Sequence, residues 1–168
     1  MEKVISIGKQ NFASLRENHY FFVDKSHFIK DWWENGDEIT LITRPRRFGK
    51  TLNMSMLDCF FSNKYAARGD LFEGLGVWKE EKYRELQGKY PVIFLSFAAV
   101  KADQLSEAKI QIKQQIARVY EENRYLLDGD LLSGNEKKAY NEVNLHMGDA
   151  EAAAALNNMS MYLSLIHI

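Results

Sequence analysis

The feature that most constrains this chain is a short arginine-rich loop between an apolar run and a helical pattern. Residues Thr43–Thr51 read Thr-Arg-Pro-Arg-Arg-Phe-Gly-Lys-Thr. The apolar, β-branched run Ile39–Ile42 before the loop predicts a buried strand. Residues 50–62 after it carry apolar side chains on two stripes at helical spacing, which predicts a helix buried over most of its surface. A strand, a tight turn and a helix in this order form the setting that a phosphate-binding loop requires.

The residues of the loop supply the groups that phosphate binding needs. Amides at a helix N-terminus attract anions, and Gly49 permits close approach of the backbone. Lys50 offers an ammonium group to the phosphates as the catalytic cation, and the Thr51 hydroxyl is a ligand for Mg²⁺. Guanidinium groups also suit phosphate oxygens, and the loop holds three, on Arg44, Arg46 and Arg47. The loop therefore predicts binding of a nucleoside triphosphate with Mg²⁺.

One residue departs from the usual pattern, because Arg44 stands where the first glycine of such loops is expected. Gly-Lys-Thr alone is a weak signal, so a basic surface turn between a strand and a helix is the competing interpretation. A nucleic-acid-binding module that uses Arg44, Arg46, Arg47 and Lys50 is a second function class. A fold that binds nucleotide only as a structural ligand or an interaction switch is a third.

Hydrophobic patterning outside the loop predicts further helices and one more strand. Pro91 opens the apolar run 92–97, which predicts a second strand. Asp24 is a candidate helix cap, and Gly36 is a candidate helix stop. Helices are predicted at residues 10–17, 24–34, 79–86, 103–127, 133–146 and 149–165. Strands that alternate with helices predict an α/β fold, with helices packed on a mostly parallel sheet.

Several segments, taken together, resemble the AAA-ATPase-like family, a group of bacterial and archaeal P-loop NTPases. They are residues 43–51 with Asn53–Leu57 after them, Tyr20–Ser26, Leu71–Leu75 and Tyr90–Phe97. The family carries the same Arg-Pro-Arg-Arg-Phe-Gly-Lys run, so Arg44 in place of glycine is expected of it. The resemblance covers roughly residues 4–160.

The resemblance implies a three-layer α/β/α fold of the P-loop NTPase type and a set of nucleotide-binding residues. ATP would lie on Arg44, Pro45, Arg46, Arg47, Phe48, Gly49, Lys50 and Thr51, with Mg²⁺ on Thr51. Asp24 and Lys25 would lie near the base side of the nucleotide, although a helix cap is the competing role for Asp24. Many members carry a C-terminal domain that resembles PD-(D/E)XK nucleases, which would provide a nucleic-acid partner.

Hydrolysis normally needs an apolar strand that ends in an acidic residue. The run 92–97 ends without one, and Asp103 falls at a predicted helix start. In the family that acidic strand follows the point where this chain stops, and residues 163–168 halt inside a helical pattern. We therefore expect an N-terminal piece of one domain, residues 1–168, with a sparse sheet, incomplete hydrolysis machinery and final residues that are not native. A short protein that ends in an apolar helix is the alternative.

The amino-acid composition excludes few classes of function. The formal net charge of −1 removes a whole-surface argument for nucleic acid. The single cysteine, Cys59, cannot form an internal disulfide and is expected to be a buried small residue. We find no secretory signal and no apolar run long enough for a bilayer, so we expect a cytoplasmic protein without a membrane partner. The sequence leaves the oligomeric state open.

Overall fold

The computed structural model describes residues 4–166, and over that range it is a helical protein without a β-sheet. Its α-helices are α1 (Phe12–Glu17), α2 (His27–Asn35), α3 (Lys50–Phe61), α4 (Glu81–Leu86), α5 (Leu105–Glu122), α6 (Gly134–Glu142) and α7 (Asp149–Ser164). Short 3₁₀ turns lie at Asn63–Tyr65, Gly69–Phe72, Gly76–Lys79 and Arg124–Leu127. Each helix predicted from the sequence is confirmed, with its ends moved by a few residues. Residues 167–168, among those expected not to be native, lie outside the described range.

Local capping explains several of these helix boundaries. The Asn11 side chain accepts a hydrogen bond from the Ser14 amide at 2.8 Å and starts α1. Gly36 ends α2 in the left-handed region, with φ of 64°, where glycine carries no steric penalty. Ser133 and Glu136 form a reciprocal capping box at the start of α6. These signals act over three or four residues, so they are visible in the sequence.

The predicted three-layer α/β/α fold is wrong for the described residues. The runs 39–42 and 92–97 lack helical structure, but neither pairs with a strand in residues 4–166. Ile39 is 89% exposed and Leu41 is 82% exposed, whereas a buried strand was expected there. A strand exists only when a neighbouring strand accepts and donates its backbone hydrogen bonds. Hydrophobic patterning indicates an extended preference but cannot supply that neighbour.

The chain divides into two compact units, one of residues up to Val92 and one from Ile93 onward. The single domain predicted for residues 1–168 stays a prediction. The core of the first unit is aromatic: the Phe72 ring centre lies 5.2 Å from that of Phe12 and 5.1 Å from that of Phe60. Met56, Cys59 and Phe60 of α3 are buried in this core, although Met54 on the same helix is 45% exposed. The expected burial of α3 therefore holds for one side of the helix.

Cys59 is confirmed as a buried free thiol in the first unit. Burial, with the nearby Asp58 carboxylate, raises the pKa of this thiol to about 11. A thiol with that pKa is protonated at neutral pH, which suits a packing role rather than nucleophilic chemistry.

The second unit is built around the packing of α5 against α7. The residues buried together there include Ile116 and Tyr120 of α5, Leu126 of the 3₁₀ turn Arg124–Leu127, and Met159 of α7. The Tyr120 hydroxyl donates to the Ala155 carbonyl at 2.8 Å, and the Tyr140 hydroxyl donates to the Tyr120 carbonyl at 2.6 Å. Buried hydroxyls with partners avoid the cost of an unsatisfied polar group. The core of this unit is therefore apolar, and its hydrogen bonds fix the orientations of the two tyrosine side chains.

None of the helices among residues 4–166 combines the length and the apolar character needed to cross a bilayer.

We predict that an ion-pair cluster at the start of α7 makes the second unit sensitive to acid. The Asp149 carboxylate lies 2.5 Å from Lys109 Nζ and 2.8 Å from Lys113 Nζ, and these partners lower the pKa of Asp149 from 3.8 to about 2. A lowered pKa gives stability that is present above pH 3.8 and is lost as the pH falls through about 2. Asp149→Asn should therefore lower the thermal midpoint at pH 7, and the difference from wild type should vanish near pH 2.

The control is Asp130→Asn, because Asp130 makes no ion pair among the described residues. It should track the wild type at every pH in circular dichroism melts. Equal melting curves for Asp149→Asn and wild type at pH 7 would contradict the predicted contribution.

Candidate functional site

The loop before α3 leaves the N-terminus of that helix open to an anion. Gly49 occupies the capping position with φ of 77°, and no side chain caps the helix. The first turn of α3 contains no acidic residue. The free amides and the positive end of the helix dipole are therefore not neutralised by a carboxylate of that turn. This arrangement favours a bound anion.

Lys50, the first residue of α3, folds back over the loop. Its Nζ donates hydrogen bonds to the carbonyl oxygens of Arg44 and of Pro45, the second at 2.9 Å. An ammonium group has three N–H donors, so two of them hold the loop and one remains. Arg44 and Pro45 thus contribute backbone carbonyls, and the Phe48 ring beyond them is 58% exposed.

Arg47 adopts a backbone conformation that non-glycine residues rarely take. Its φ is 69°, in the left-handed region, where the Cβ of an L-residue approaches the carbonyl oxygen that follows. Such a residue typically costs about 1–3 kcal/mol, and such strain is frequent at functional sites.

A cavity of about 810 Å³ opens in front of the loop. Its described lining consists of Arg46, Arg47 and the residues from Gly49 to Leu52, together with the segment Ile7–Gln10. Among the residues that the structure describes, the lining contains four basic residues, Lys9, Arg46, Arg47 and Lys50, and no acidic one. Its volume is in the range of small-molecule sites.

The segment Ile7–Gln10 lines the same cavity as the loop because α1 packs on α3. The Phe12 amide at the start of α1 donates to Ser55 Oγ of α3 at 3.0 Å, in a buried position. These lining residues were not predicted from the sequence, since about 40 positions separate them from the loop. No local sequence signal links the two segments, so only a tertiary structure or an alignment could assign them to one site.

Asp24 is tied to a neighbouring turn, and Lys25 approaches the loop. The Asp24 carboxylate accepts hydrogen bonds from the Ser26 amide at 2.8 Å and from the Gly76 amide at 2.7 Å. Burial by itself would raise the pKa of Asp24, but these hydrogen bonds prevail and lower it. Lys25 Nζ lies 3.9 Å from the position that a Cβ on Gly49 would occupy. Neither residue belongs to the cavity lining given above.

Thr51 lines the cavity beside Lys50. Among residues 4–166, no three His, Cys, Asp or Glu side chains are grouped so that they could hold a metal ion. Mg²⁺ often keeps several waters and takes few protein ligands besides substrate phosphates. Thr51 with phosphate oxygens and water is therefore a donor set that fits this ion.

Comparison with known proteins gives one family and one relative. The model of a family described as "Predicted AAA-ATPase" matches residues 6–158. An "Uncharacterized protein in vnfD 5'region" from Azotobacter chroococcum mcd 1 is 36% identical over 96 residues. That alignment covers 56% of this chain and 17% of the relative. No solved structure matches the chain.

We predict that the strain at Arg47 is measurable as a difference between two glycine substitutions. Arg47→Gly removes the steric conflict at positive φ, whereas Arg46→Gly only adds backbone freedom to the unfolded chain. Arg47→Gly should therefore be more stable to urea than Arg46→Gly, by about 1 kcal/mol. Each variant removes one guanidinium, which makes them matched for charge. Equal unfolding free energies would show that the left-handed conformation stores no strain.

Proposed function

The chain belongs to the family of predicted AAA-ATPases, and on that premise we propose that it binds ATP with Mg²⁺ at the loop Arg44–Thr51. Family membership supports nucleotide binding in general terms. The assignment to this loop, and to the residues within it, is our proposal.

The observation that carries the proposal is the charge of the cavity at the start of α3. Four basic residues line it together with the uncapped amides of the helix, and none of the described lining residues carries a carboxylate. A cavity lined by basic residues attracts anions and repels cations, so the ligand that suits it best is a polyanion. A triphosphate satisfies the lysine, the guanidinium groups and the helix amides together.

Each loop residue has a role in this proposal. Lys50 offers its remaining N–H to a phosphate oxygen while the other two keep the loop closed. Arg46 and Arg47 line the cavity and neutralise phosphate charge. Thr51 binds Mg²⁺, which supplies charge neutralisation when it is present with the nucleotide. Arg44, Pro45 and Phe48 shape the loop through the backbone.

The competing nucleic-acid interpretation uses Arg44, Arg46, Arg47 and Lys50 as phosphate contacts. The placement of these residues favours a small ligand, because three of the four line a concave cavity. A nucleic-acid backbone is better matched by a stripe of cations along a surface. Nucleic-acid binding is accordingly an outcome of the experiment rather than a second proposal.

We predict that Lys50→Ala weakens binding of Mg²⁺–ATP by about 10- to 150-fold, because a hydrogen bond to a charged group is worth about 1.5–3 kcal/mol. Isothermal titration calorimetry of the whole chain measures this change. Lys89→Ala is the matched control, since it removes the same charge from an exposed position outside the cavity. It should bind ATP as the wild type does.

Titrating a fluorescent DNA duplex in parallel separates the two interpretations. If Lys50→Ala leaves the affinity for ATP unchanged and lowers the affinity for DNA, the loop is a nucleic-acid site and the proposal is wrong. A wild-type chain that binds neither ATP nor inorganic tripolyphosphate would also overturn it.

We further predict that Asp24 and Lys25 act differently although they are neighbours. Asp24→Ala removes the hydrogen bonds that the Ser26 and Gly76 amides donate to the carboxylate, and it should lower the free energy of unfolding by about 1 kcal/mol or more, with little change in ATP affinity. Lys25→Met removes a cation near Gly49 and should weaken ATP binding without loss of stability. Urea denaturation and calorimetry on both variants measure the two effects.

The control for this pair is Asp31→Ala, which removes an exposed carboxylate of α2. It should alter neither quantity. A large loss of ATP affinity in Asp24→Ala, at unchanged stability, would instead support a direct nucleotide contact for Asp24.

A further inference from the structure

The run of residues between α2 and the arginine-rich loop leaves its backbone unpaired. Within residues 4–166, the amides and carbonyls of residues 39–43 take part in no hydrogen bond. Ile39 is 89% exposed and Leu41 is 82% exposed, although both are large aliphatic residues. A row of free backbone donors and acceptors is a template on which another chain can pair. These five residues therefore have the chemistry of a sheet edge.

One side of this run is occupied and the other is free. Trp32 Nε1 donates to Thr40 Oγ1 at 3.1 Å, which holds the middle of the run beside α2. Successive side chains of an extended chain point to opposite sides. Ile39, Leu41 and Thr43 thus share the side opposite to Thr40, and all three are exposed. The free apolar side and the unpaired backbone belong to the same residues.

The two ends of the run carry opposite charges. Asp37 and Glu38 precede it and Arg44 follows it, while Pro45 provides no amide for further pairing. The three charged side chains are exposed, and none of them forms an ion pair among the described residues. Leu41 is the central residue of 37–45. A second copy laid antiparallel about Leu41 would therefore place Glu38 of each copy opposite Arg44 of the other.

The charge pattern distinguishes this arrangement from a parallel one. A parallel second copy would place Glu38 opposite Glu38 and Arg44 opposite Arg44, and like charges directly opposite each other destabilise strand pairing. The antiparallel arrangement instead forms a pair of opposite charges at each end, with Leu41 opposite Leu41 in the middle. It also brings the free apolar sides of both copies to one face, because residues opposite each other in paired strands share a face. The charges thus fit a second copy of this chain and fix its direction.

We propose that two copies of this chain associate by antiparallel pairing of residues 37–45, with a two-fold axis at Leu41. The interface is isologous, since each copy offers the same residues to the other. Pairing gives hydrogen-bond partners to the backbone of residues 39–43. Two strands alone pair weakly in water, so the dimer dissociates on dilution. This association is independent of the proposed nucleotide site.

Disulfide cross-linking of the whole chain tests the contact and its register. Leu41→Cys should give a linked dimer under mild oxidation, because Cα atoms opposite each other lie about 4.5–5.5 Å apart and a disulfide spans about 4.4–6.8 Å. Ile39→Cys alone should not cross-link, since its two copies are four positions apart along the ribbon, or about 14 Å. A mixture of Ile39→Cys and Thr43→Cys chains should cross-link. The wild type gives the background from the buried Cys59.

Sedimentation equilibrium measures the strength of the association. The average mass of the wild type should fall toward that of one chain as the sample is diluted. Leu41→Lys should weaken association by at least about tenfold, because two ammonium groups meet at the axis. An equimolar mixture of Leu41→Lys and Leu41→Glu chains should restore it. Leu105→Lys is the matched control, because Leu105 is a leucine outside the run that is 73% exposed, and it should associate as the wild type does.

Two results would overturn the proposal. One is a wild-type chain whose mass stays that of a single chain at every concentration, or a Leu41→Cys chain that fails to cross-link. The other is an Ile39→Cys chain that cross-links with itself as readily as Leu41→Cys does, which would indicate a parallel or unspecific contact. Circular dichroism melts check that the substituted chains fold like the wild type, as expected because Leu41 lies outside the core of the first unit.

Discussion

The buried hydrogen bond from the Phe12 amide to Ser55 Oγ joins α1 to α3, and the candidate site depends on it. The C-terminal part of α3 is anchored in the core by Met56 and Phe60, while its N-terminus carries the loop. Because a helix is stiff, fixing its buried part also fixes the direction of its first amides. The segment before Phe12 is placed by the same bond. The packing of α1 on α3, with this hydrogen bond, therefore brings the two groups of lining residues to one cavity.

The helices were predictable because their determinants are local. The side-chain cap of Asn11, the left-handed Gly36 and the capping box of Ser133 each act within a single turn. The apolar spacing of α5 likewise repeats within the helix itself. Helix ends were less accurate: the run 103–127 divides into α5 and a separate 3₁₀ turn at Arg124–Leu127. Asn123 lies between them, and its side chain donates to the Val119 carbonyl at 2.7 Å.

The strands were not predictable for a physical reason. The patterns at 39–42 and 92–97 have the composition of strands, but strand formation is a property of two segments and not of one. Ile39 and Leu41 are left largely exposed, so their apolar character did not ensure burial. In the described residues the parallel contact between Ser62 and Tyr90 is an isolated bridge. A strong local signal thus led to a wrong fold class.

The residues of the candidate site likewise fall into two groups, those predictable from the local sequence and those brought together by tertiary packing. Gly49, Lys50 and Thr51 were identified from nine consecutive residues, because an anion site at a helix N-terminus is a local structure. The lining residues Ile7–Gln10 were not predicted, because they share a cavity with the loop only through the packing of α1 on α3. The implied position of Lys25 is intermediate: its Nζ approaches Gly49 at the loop, and the base-side position given by the resemblance stays a prediction.

The conformation of the loop reflects two opposing contributions, the backbone strain at Arg47 and the hydrogen bonds that the Lys50 ammonium donates. Arg47 is held at φ of 69°, which opposes folding, while Lys50 donates to the Arg44 and Pro45 carbonyls, which favours it. The same ammonium keeps a third donor for a ligand, so binding need not break the bonds that hold the loop. A preorganised loop avoids the ordering cost that a flexible one would meet on binding. Lys50 thus stabilises the loop and is also the residue that we propose to contact the phosphates, and the strain at Arg47 is sustained because a neighbouring cation offsets it.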